Sequence, residues 1–154
     1  MATEPRYSVT IDINAPAERV YDVMIDIDRW HEWTPSITSI RRLNEAAFAI
    51  GTRALVRQPK LPPATWTISK IEPGRRFEWV NKAPGLKVTG HHSVTPTATG
   101  SRATLALSYE GLFGGLLARM TEGITRRYIA MEADGLKARA ENPGHRHAAA
   151  VHGR

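Results

Sequence analysis

His92 is the side chain of this sequence best suited to chemistry, because it lies in a β-type stretch in which apolar residues alternate with polar ones. The alternation puts His92 on the same face as Val88, and it puts Tyr109 of the next stretch on the equivalent face. An imidazole and a phenol in apolar surroundings can polarise a carbonyl group or move a proton. We therefore treat His92 and Tyr109 as candidate catalytic residues, with Arg53 or Arg57 as alternative partners for His92. A core histidine bonded to the backbone fits the same pattern better.

The remaining histidines and carboxylates do not form a predicted metal site. His91 adjoins His92 in sequence, but adjacent residues of a strand point to opposite faces and cannot easily share one ion. The tail histidines lack the supporting shell of a real site, and the carboxylates of the first helices suit helix ends. We therefore predict no metal and no cofactor. The tail histidines and helix carboxylates are His145, His147, His152, Asp22, Asp26 and Asp28.

Large apolar side chains are predicted to surround the two polar groups. Alternation turns Trp66 and Trp79 inward, and we expect Trp33 to face the same space in part while Trp30 packs behind it. The spacing of the C-terminal helix adds three further wall residues, which are Phe113, Met120 and Ile124. This is the composition of a ligand cavity, although an ordinary core has the same composition.

Short elements must position these residues. The stretch from Tyr7 to Ile13 alternates as a half-buried strand. A helix begins near Pro16, a second short helix covers about 29–33, and Pro35 ends that second helix. Six β-type runs follow, separated by proline and glycine turns typical of antiparallel hairpins. These runs are Ile40 to Leu43, Thr52 to Gln58, Ala64 to Ile71, Arg76 to Asn81, Leu86 to Thr95 and Arg102 to Glu110.

The last predicted element is one long helix from Phe113 to about Glu141, ended by Asn142, Pro143 and Gly144. Because a twisted antiparallel sheet must cover its apolar face, this helix is the element that does so. The prediction is an α+β fold: a curved seven-stranded antiparallel sheet wrapped around the long C-terminal helix, with two short helices between strands one and two. We expect one domain over 1–141 and a disordered tail over 142–154.

Composition narrows the function. The chain has 154 residues, a net charge of +6 and no cysteine, which excludes disulfide scaffolds, zinc–thiolate sites and cysteine nucleophiles. Its basic residues are scattered in pairs, so we predict no nucleic-acid binding. No stretch resembles a transmembrane segment or a secretion signal, which predicts a cytoplasmic protein. A homodimer is compatible with the sequence.

Five short motifs follow one another in an order found in a known superfamily. They are Ala15 to Asp26 (APAERVYDVMID), Trp30 to Pro35 (WHEWTP), Gly51 to Arg53 (GTR), Glu72 to Trp79 (EPGRRFEW) and Gly111 to Gly115 (GLFGG). With these motifs the chain resembles the START-like superfamily, also called SRPBCC or polyketide cyclase/dehydrase-like, over about 6–140. The resemblance implies a helix-grip fold with a cavity between the sheet and the C-terminal helix.

Three functions agree with these observations. The first is binding of a hydrophobic or amphipathic small molecule, such as a lipid, quinone, polyketide or isoprenoid, in the cavity. The expected contacts for that ligand are Trp33, Trp66, Trp79, His92, Tyr109, Phe113, Met120 and Ile124. The second is a cofactor-independent cyclase or dehydratase that uses His92 and Tyr109. The third is an accessory protein that acts through its surface.

Overall fold

A computed structural model describes residues 4–143 of the chain. The strands are β1 (Tyr7–Ile13), β2 (Ser39–Arg42), β3 (Arg53–Arg57), β4 (Ala64–Glu72), β5 (Arg76–Ala83), β6 (Leu86–Thr97) and β7 (Gly100–Glu110). The helices are α1 (Ala17–Ile25), a 3₁₀ helix (Ile27–Glu32), α2 (Gly114–Met120) and α3 (Glu122–Glu141). Apart from Asn142 and Pro143, the predicted tail lies outside the described residues.

The seven strands form one antiparallel sheet in the order β1-β7-β6-β5-β4-β3-β2. Consecutive hairpins build β2 to β7, and β1 pairs with β7, where Tyr7 lies opposite Leu107. A register shift between Ile68 and Lys70 marks an irregularity in β4. The shift follows Trp66 and Ile68, so the alternation that turns them inward holds up to that point. The sheet confirms the predicted α+β helix-grip architecture.

The two short helices form for the reasons expected from the sequence. Pro16 precedes α1 in an extended conformation, and Glu18 in the first turn complements the helix dipole. The second helix is a 3₁₀ helix, and its Trp30 is fully buried. The indole Nε1 of Trp30 donates a hydrogen bond of 3.0 Å to the carbonyl of Met24, which satisfies the polar atom inside the core.

The C-terminal segment differs from the single helix predicted from Phe113 to Glu141, because it divides at Thr121 into α2 and α3. Thr121 has φ −108° and ψ 12°, and its hydroxyl donates a 2.8 Å hydrogen bond to the carbonyl of Leu117. Such bonds compete with the helix backbone, and Gly123 nearby has a low helix propensity. The longer helix, α3, still lies across the sheet as the predicted helix grip requires.

Gly135 lets α3 approach the first helices closely. A Cβ atom at this position would lie 2.0 Å from the backbone oxygen of Trp33. The absence of a side chain is therefore what brings α3 into contact with the end of the 3₁₀ helix. Within residues 4–143, no helix is long and apolar enough to cross a membrane.

Candidate functional site

A cavity of about 220 Å³ lies between the inner face of the sheet and the C-terminal helices. Most of its wall is apolar, and it receives side chains from the 3₁₀ helix, from β3 to β7, from the loop after β3, and from α2 and α3. No lysine or arginine lines it among the described residues, and Glu132 is the one acidic side chain on its wall there. Apolar walls with a few polar groups are typical of sites for small molecules.

Three tryptophans form one side of this cavity. The ring centroids of Trp30 and Trp79 are 5.2 Å apart, and those of Trp66 and Trp79 are 5.5 Å apart. Gly90 continues the wall, and a Cβ atom there would lie 2.7 Å from the indole Nε1 of Trp79. A side chain at position 90 would therefore displace Trp79 or narrow the space.

His92 belongs to the same aromatic group and is only 4% exposed. Its ring stacks on Phe77 with centroids 4.3 Å apart, and Trp30 lies 5.2 Å away. Burial lowers the pKa of His92 from 6.5 to about 3, against a smaller rise from a hydrogen bond with the Phe77 backbone, so the imidazole is neutral at pH 7. Its Nδ1 atom has no hydrogen-bond partner within the described part of the chain. At the cavity wall, His92 is thus a neutral aromatic group with one unused polar atom.

Tyr109 lines the cavity as well, at the end of β7. Burial raises the pKa of its phenol, and hydrogen bonds with the Thr125 and Thr121 side chains offset the rise in part. Tyr7 packs edge-on against it with ring centroids 5.9 Å apart. The structure therefore brings both sequence-derived polar candidates, His92 and Tyr109, to one cavity, each in its neutral form at pH 7.

Trp33 was expected to face the cavity in part and Trp30 to pack behind it, but the structure reverses the two. Trp30 lines the cavity, whereas Trp33 lies at a separate depression beside Arg19 and Arg139. The close approach of Gly135 to Trp33 agrees with this position, because α3 packs against the backbone and ring of Trp33.

The helical residues named from the sequence also lie off the cavity wall. Phe113 is 51% exposed and rests on the turn at Gly85, and Met120 is 74% exposed. Ile124 is half-buried but does not line the cavity. The helical wall is instead formed by Leu117, Thr121, Thr125, Tyr128, Ile129 and Glu132.

Glu132 is the residue that the sequence argument missed. Burial raises its pKa from 4.5 to about 7, and a hydrogen bond from Ser36 lowers it in part. The hydroxyls of Ser36 and Thr34 are 2.7 Å apart, and Gln58 donates a 3.2 Å hydrogen bond to the Ser36 carbonyl. A signal was present in the sequence: Glu132 follows Tyr128 by four positions, so the two share one helix face.

A second polar group, His91 with Glu78 and Ser108, lies on the opposite face of the sheet. The His91 Nε2 atom is 2.8 Å from the Ser108 hydroxyl, and its Nδ1 atom is 3.0 Å from the Glu78 carboxylate. The order of groups is that of a hydrolytic triad, but Ser108 is 1% exposed and offers a substrate no approach. We interpret the group as a polar link across three strands.

The two arginines considered as partners for His92 are not near it. Arg53 and Arg57 are exposed at the two ends of β3, and neither lines the cavity. Alternation explains this, because Ala54 and Val56 are the buried residues of that strand. Among residues 4–143, no group of three or more histidine or acidic side chains is placed to hold a metal ion.

Solved structures share this fold at low sequence identity. The Zhui aromatase/cyclase from a Streptomyces species aligns with a TM-score of 0.70 and 17% identity, over 88% of this chain and 93% of that one. A protein from Thermus thermophilus aligns with a TM-score of 0.68 and 21% identity, over 86% of this chain and 94% of that one. A hypothetical protein from Helicobacter pylori aligns with a TM-score of 0.70 and 17% identity, over 87% of this chain and 85% of that one.

The sequence itself identifies the family. No curated protein matches the chain. The model of a family described as "Polyketide cyclase / dehydrase and lipid transport" matches residues 4–141, which is nearly the whole described chain. The motif order, the helix-grip fold and this match agree, and the protein therefore belongs to the polyketide cyclase/dehydrase and lipid transport family of the START-like superfamily.

Proposed function

We propose that this protein binds a hydrophobic or amphipathic small molecule in the cavity between its sheet and its C-terminal helices. The observation that carries the proposal is the open 220 Å³ space walled by Trp30, Trp66 and Trp79. An apolar ligand is more stable between aromatic walls of this kind than in water, because the hydrophobic effect favours removing apolar surface from water. The family description supports a role in this class of function.

The ligand classes under this proposal are lipids, quinones, polyketides and isoprenoids. Each has an apolar body for the tryptophan side of the cavity and a polar end. Asn81, Tyr109 and Glu132 are among the polar side chains on the wall that could fix such an end. A cytoplasmic location and a homodimer stay predictions of the sequence.

A cyclase or dehydratase remains the alternative function, and the likeness to an aromatase/cyclase bears on its fold only. The version based on His92 and Tyr109 has little support, because a general acid or base must change its protonation state near the working pH. The pKa of His92 is lowered to about 3 and that of Tyr109 is raised, so both stay neutral at pH 7.

Native mass spectrometry of the protein purified from its own source organism tests the binding proposal. Organic extraction then identifies any molecule that co-purifies. We expect a lipid-like molecule in the wild type and in Trp33→Ala, whose indole lies outside the cavity. We expect its loss in Trp79→Ala, with circular dichroism showing that both variants fold. Ligand-free protein that also ignores added hydrophobic probes would overturn the proposal.

A further inference from the structure

Within the described part of the chain, Glu132 is a carboxyl group without a countercharge. It lines the cavity on α3, and no arginine or lysine of residues 4–143 forms a salt bridge with it. A hydrogen bond with the Ser36 hydroxyl lowers the pKa of Glu132 in part. A carboxylate offers about four acceptor positions, so this one bond leaves most of its capacity unused.

The support around Glu132 is polar and buried. Thr34 and Ser36 are both fully buried, and their hydroxyls are 2.7 Å apart. The Thr34 oxygen also accepts a 3.3 Å hydrogen bond from the Ser36 backbone N–H. When Ser36 donates to Glu132, the Thr34 hydroxyl is the group that donates to Ser36. A chain of donors in this order would stabilise a negative charge on Glu132.

The rest of the wall favours a positive rather than a negative guest. Among the described residues it has no lysine or arginine to receive an anion. It is lined by Trp30, Trp66 and Trp79, and an indole ring attracts a cation placed over its face. Glu132 is partly buried at the cavity wall, and a carboxylate withdrawn from water is stable when a cation pairs with it and costly when none does.

We propose that the ligand of this cavity carries a basic nitrogen, whose ammonium group donates to Glu132 while its apolar body lies against the three tryptophans. This inference rests on the binding function proposed above and narrows the ligand to hydrophobic amines. Burial without a countercharge also raises the pKa of Glu132 to about 7, and a bound ammonium group would reverse that rise.

The other titratable side chains on the wall leave this assignment in place. His92 on β6 and Tyr109 on β7 are neutral at pH 7, and Tyr128 on α3 donates its hydroxyl to the Pro59 carbonyl. His91 points to the opposite face, where it contacts Glu78. The binding of an amine should therefore follow the ionisation of Glu132 and strengthen as pH rises through about 7.

Isothermal titration calorimetry with three matched probes tests the inference: naphthylethylamine, naphthylethanol and naphthylacetate. They share one bicyclic apolar body and differ in carrying an ammonium, a hydroxyl or a carboxylate. The measurements are made at about pH 8 and about pH 6, where an aliphatic amine is protonated throughout. Glu132→Gln is compared with Asp134→Asn, which removes an exposed carboxyl from the same helix.

At about pH 8 we expect the amine to bind the wild type at least about tenfold more tightly than the alcohol, and the acid to bind most weakly. This preference should weaken at about pH 6, disappear in Glu132→Gln and persist in Asp134→Asn. Binding of the alcohol should be nearly the same in all three proteins.

Equal affinities for amine and alcohol, or a preference that survives Glu132→Gln, would overturn the inference while leaving the cavity-binding function in place. Failure of all three probes to bind the wild type would overturn both. The alcohol thus separates failure of the amine assignment from failure of the binding function.

Discussion

The imidazole of His92 lies nearly parallel to the ring of Phe77, with centroids 4.3 Å apart and an interplanar angle of 7°. The two residues lie directly opposite each other on β6 and β5. Trp30 and Trp79 contact the same imidazole at 5.2 Å and 5.6 Å between centroids. His92 is thus built into the aromatic wall of the cavity, and its role follows from packing.

His92→Phe should fold with a free energy of unfolding within about 1 kcal/mol of the wild type at pH 7. A phenyl ring can keep the stack on Phe77, and it removes the unpartnered Nδ1 atom. His92→Ala should lose about 2 to 4 kcal/mol, because it opens a cavity in a packed group. Urea unfolding measures both values. Severe destabilisation by His92→Phe would show that an imidazole hydrogen bond, rather than stacking, holds this position.

His92 and Glu132 should make the free energy of unfolding depend on pH in opposite directions. The pKa of His92 falls from 6.5 to about 3 on folding. The contribution of His92 to the free energy of unfolding is therefore complete above pH 6.5 and is lost as pH falls toward 3. The pKa of Glu132 rises from 4.5 to about 7, so its contribution is full below pH 4.5 and is lost as pH rises through 7. Each slope is at most about 1.4 kcal/mol per pH unit.

Urea unfolding of the two variants at several pH values separates these effects. His92→Phe should lose less stability than the wild type between about pH 6 and about pH 4. Glu132→Gln should gain about 1 to 3 kcal/mol over the wild type at about pH 8, and little at about pH 4. Profiles of identical shape for all three proteins would contradict both assignments.

Gly90→Ala should damage the cavity more than the fold. The new Cβ would lie 2.7 Å from the Trp79 Nε1 atom, so it must displace the indole or narrow the space. We expect about tenfold weaker binding of a neutral naphthyl probe and about 1 to 3 kcal/mol of lost stability. Gly115→Ala is the control, because a Cβ atom there has open space and alanine favours the helix. Unchanged probe binding by Gly90→Ala would place the ligand elsewhere.

Gly135→Ala should separate α3 from the 3₁₀ helix. Its Cβ would lie 2.0 Å from the Trp33 backbone oxygen, a contact that backbone movement alone can relieve. We expect a loss of about 2 to 4 kcal/mol in urea unfolding. Gly123→Ala in the same helix has nothing within 4 Å of its new Cβ and should gain up to about 1 kcal/mol. Equal effects of the two substitutions would contradict the close packing.

The strands and first helices could be predicted because local patterns determine them. Alternation marked β1 and placed Trp66, Trp79 and His92 on the inner face, and proline marked the start of α1. The break at Thr121 could not be predicted in this way. It depends on the Thr121 hydroxyl binding a backbone carbonyl, and helical spacing does not report that choice.

The helical side of the cavity was predicted wrongly for a related reason. Apolar spacing identifies the face of a helix that packs in a solid core, and here it selected Met120 and Ile124. Helices α2 and α3 cover a cavity, so Thr125 and Glu132 face inward while Met120 is exposed. Hydrophobic periodicity therefore failed because the inner surface lines a binding space rather than a packed interior.

The four tryptophans provide the most direct test of the cavity as a binding site. Three of them line it, and Trp33 lies outside. In NMR spectra of the indole N–H signals, assigned with single Trp→Phe variants, naphthylethanol should shift the signals of Trp30, Trp66 and Trp79 and leave that of Trp33 unchanged. Shifts confined to Trp33, or no shifts at a saturating probe concentration, would contradict the assignment of this cavity as the ligand site.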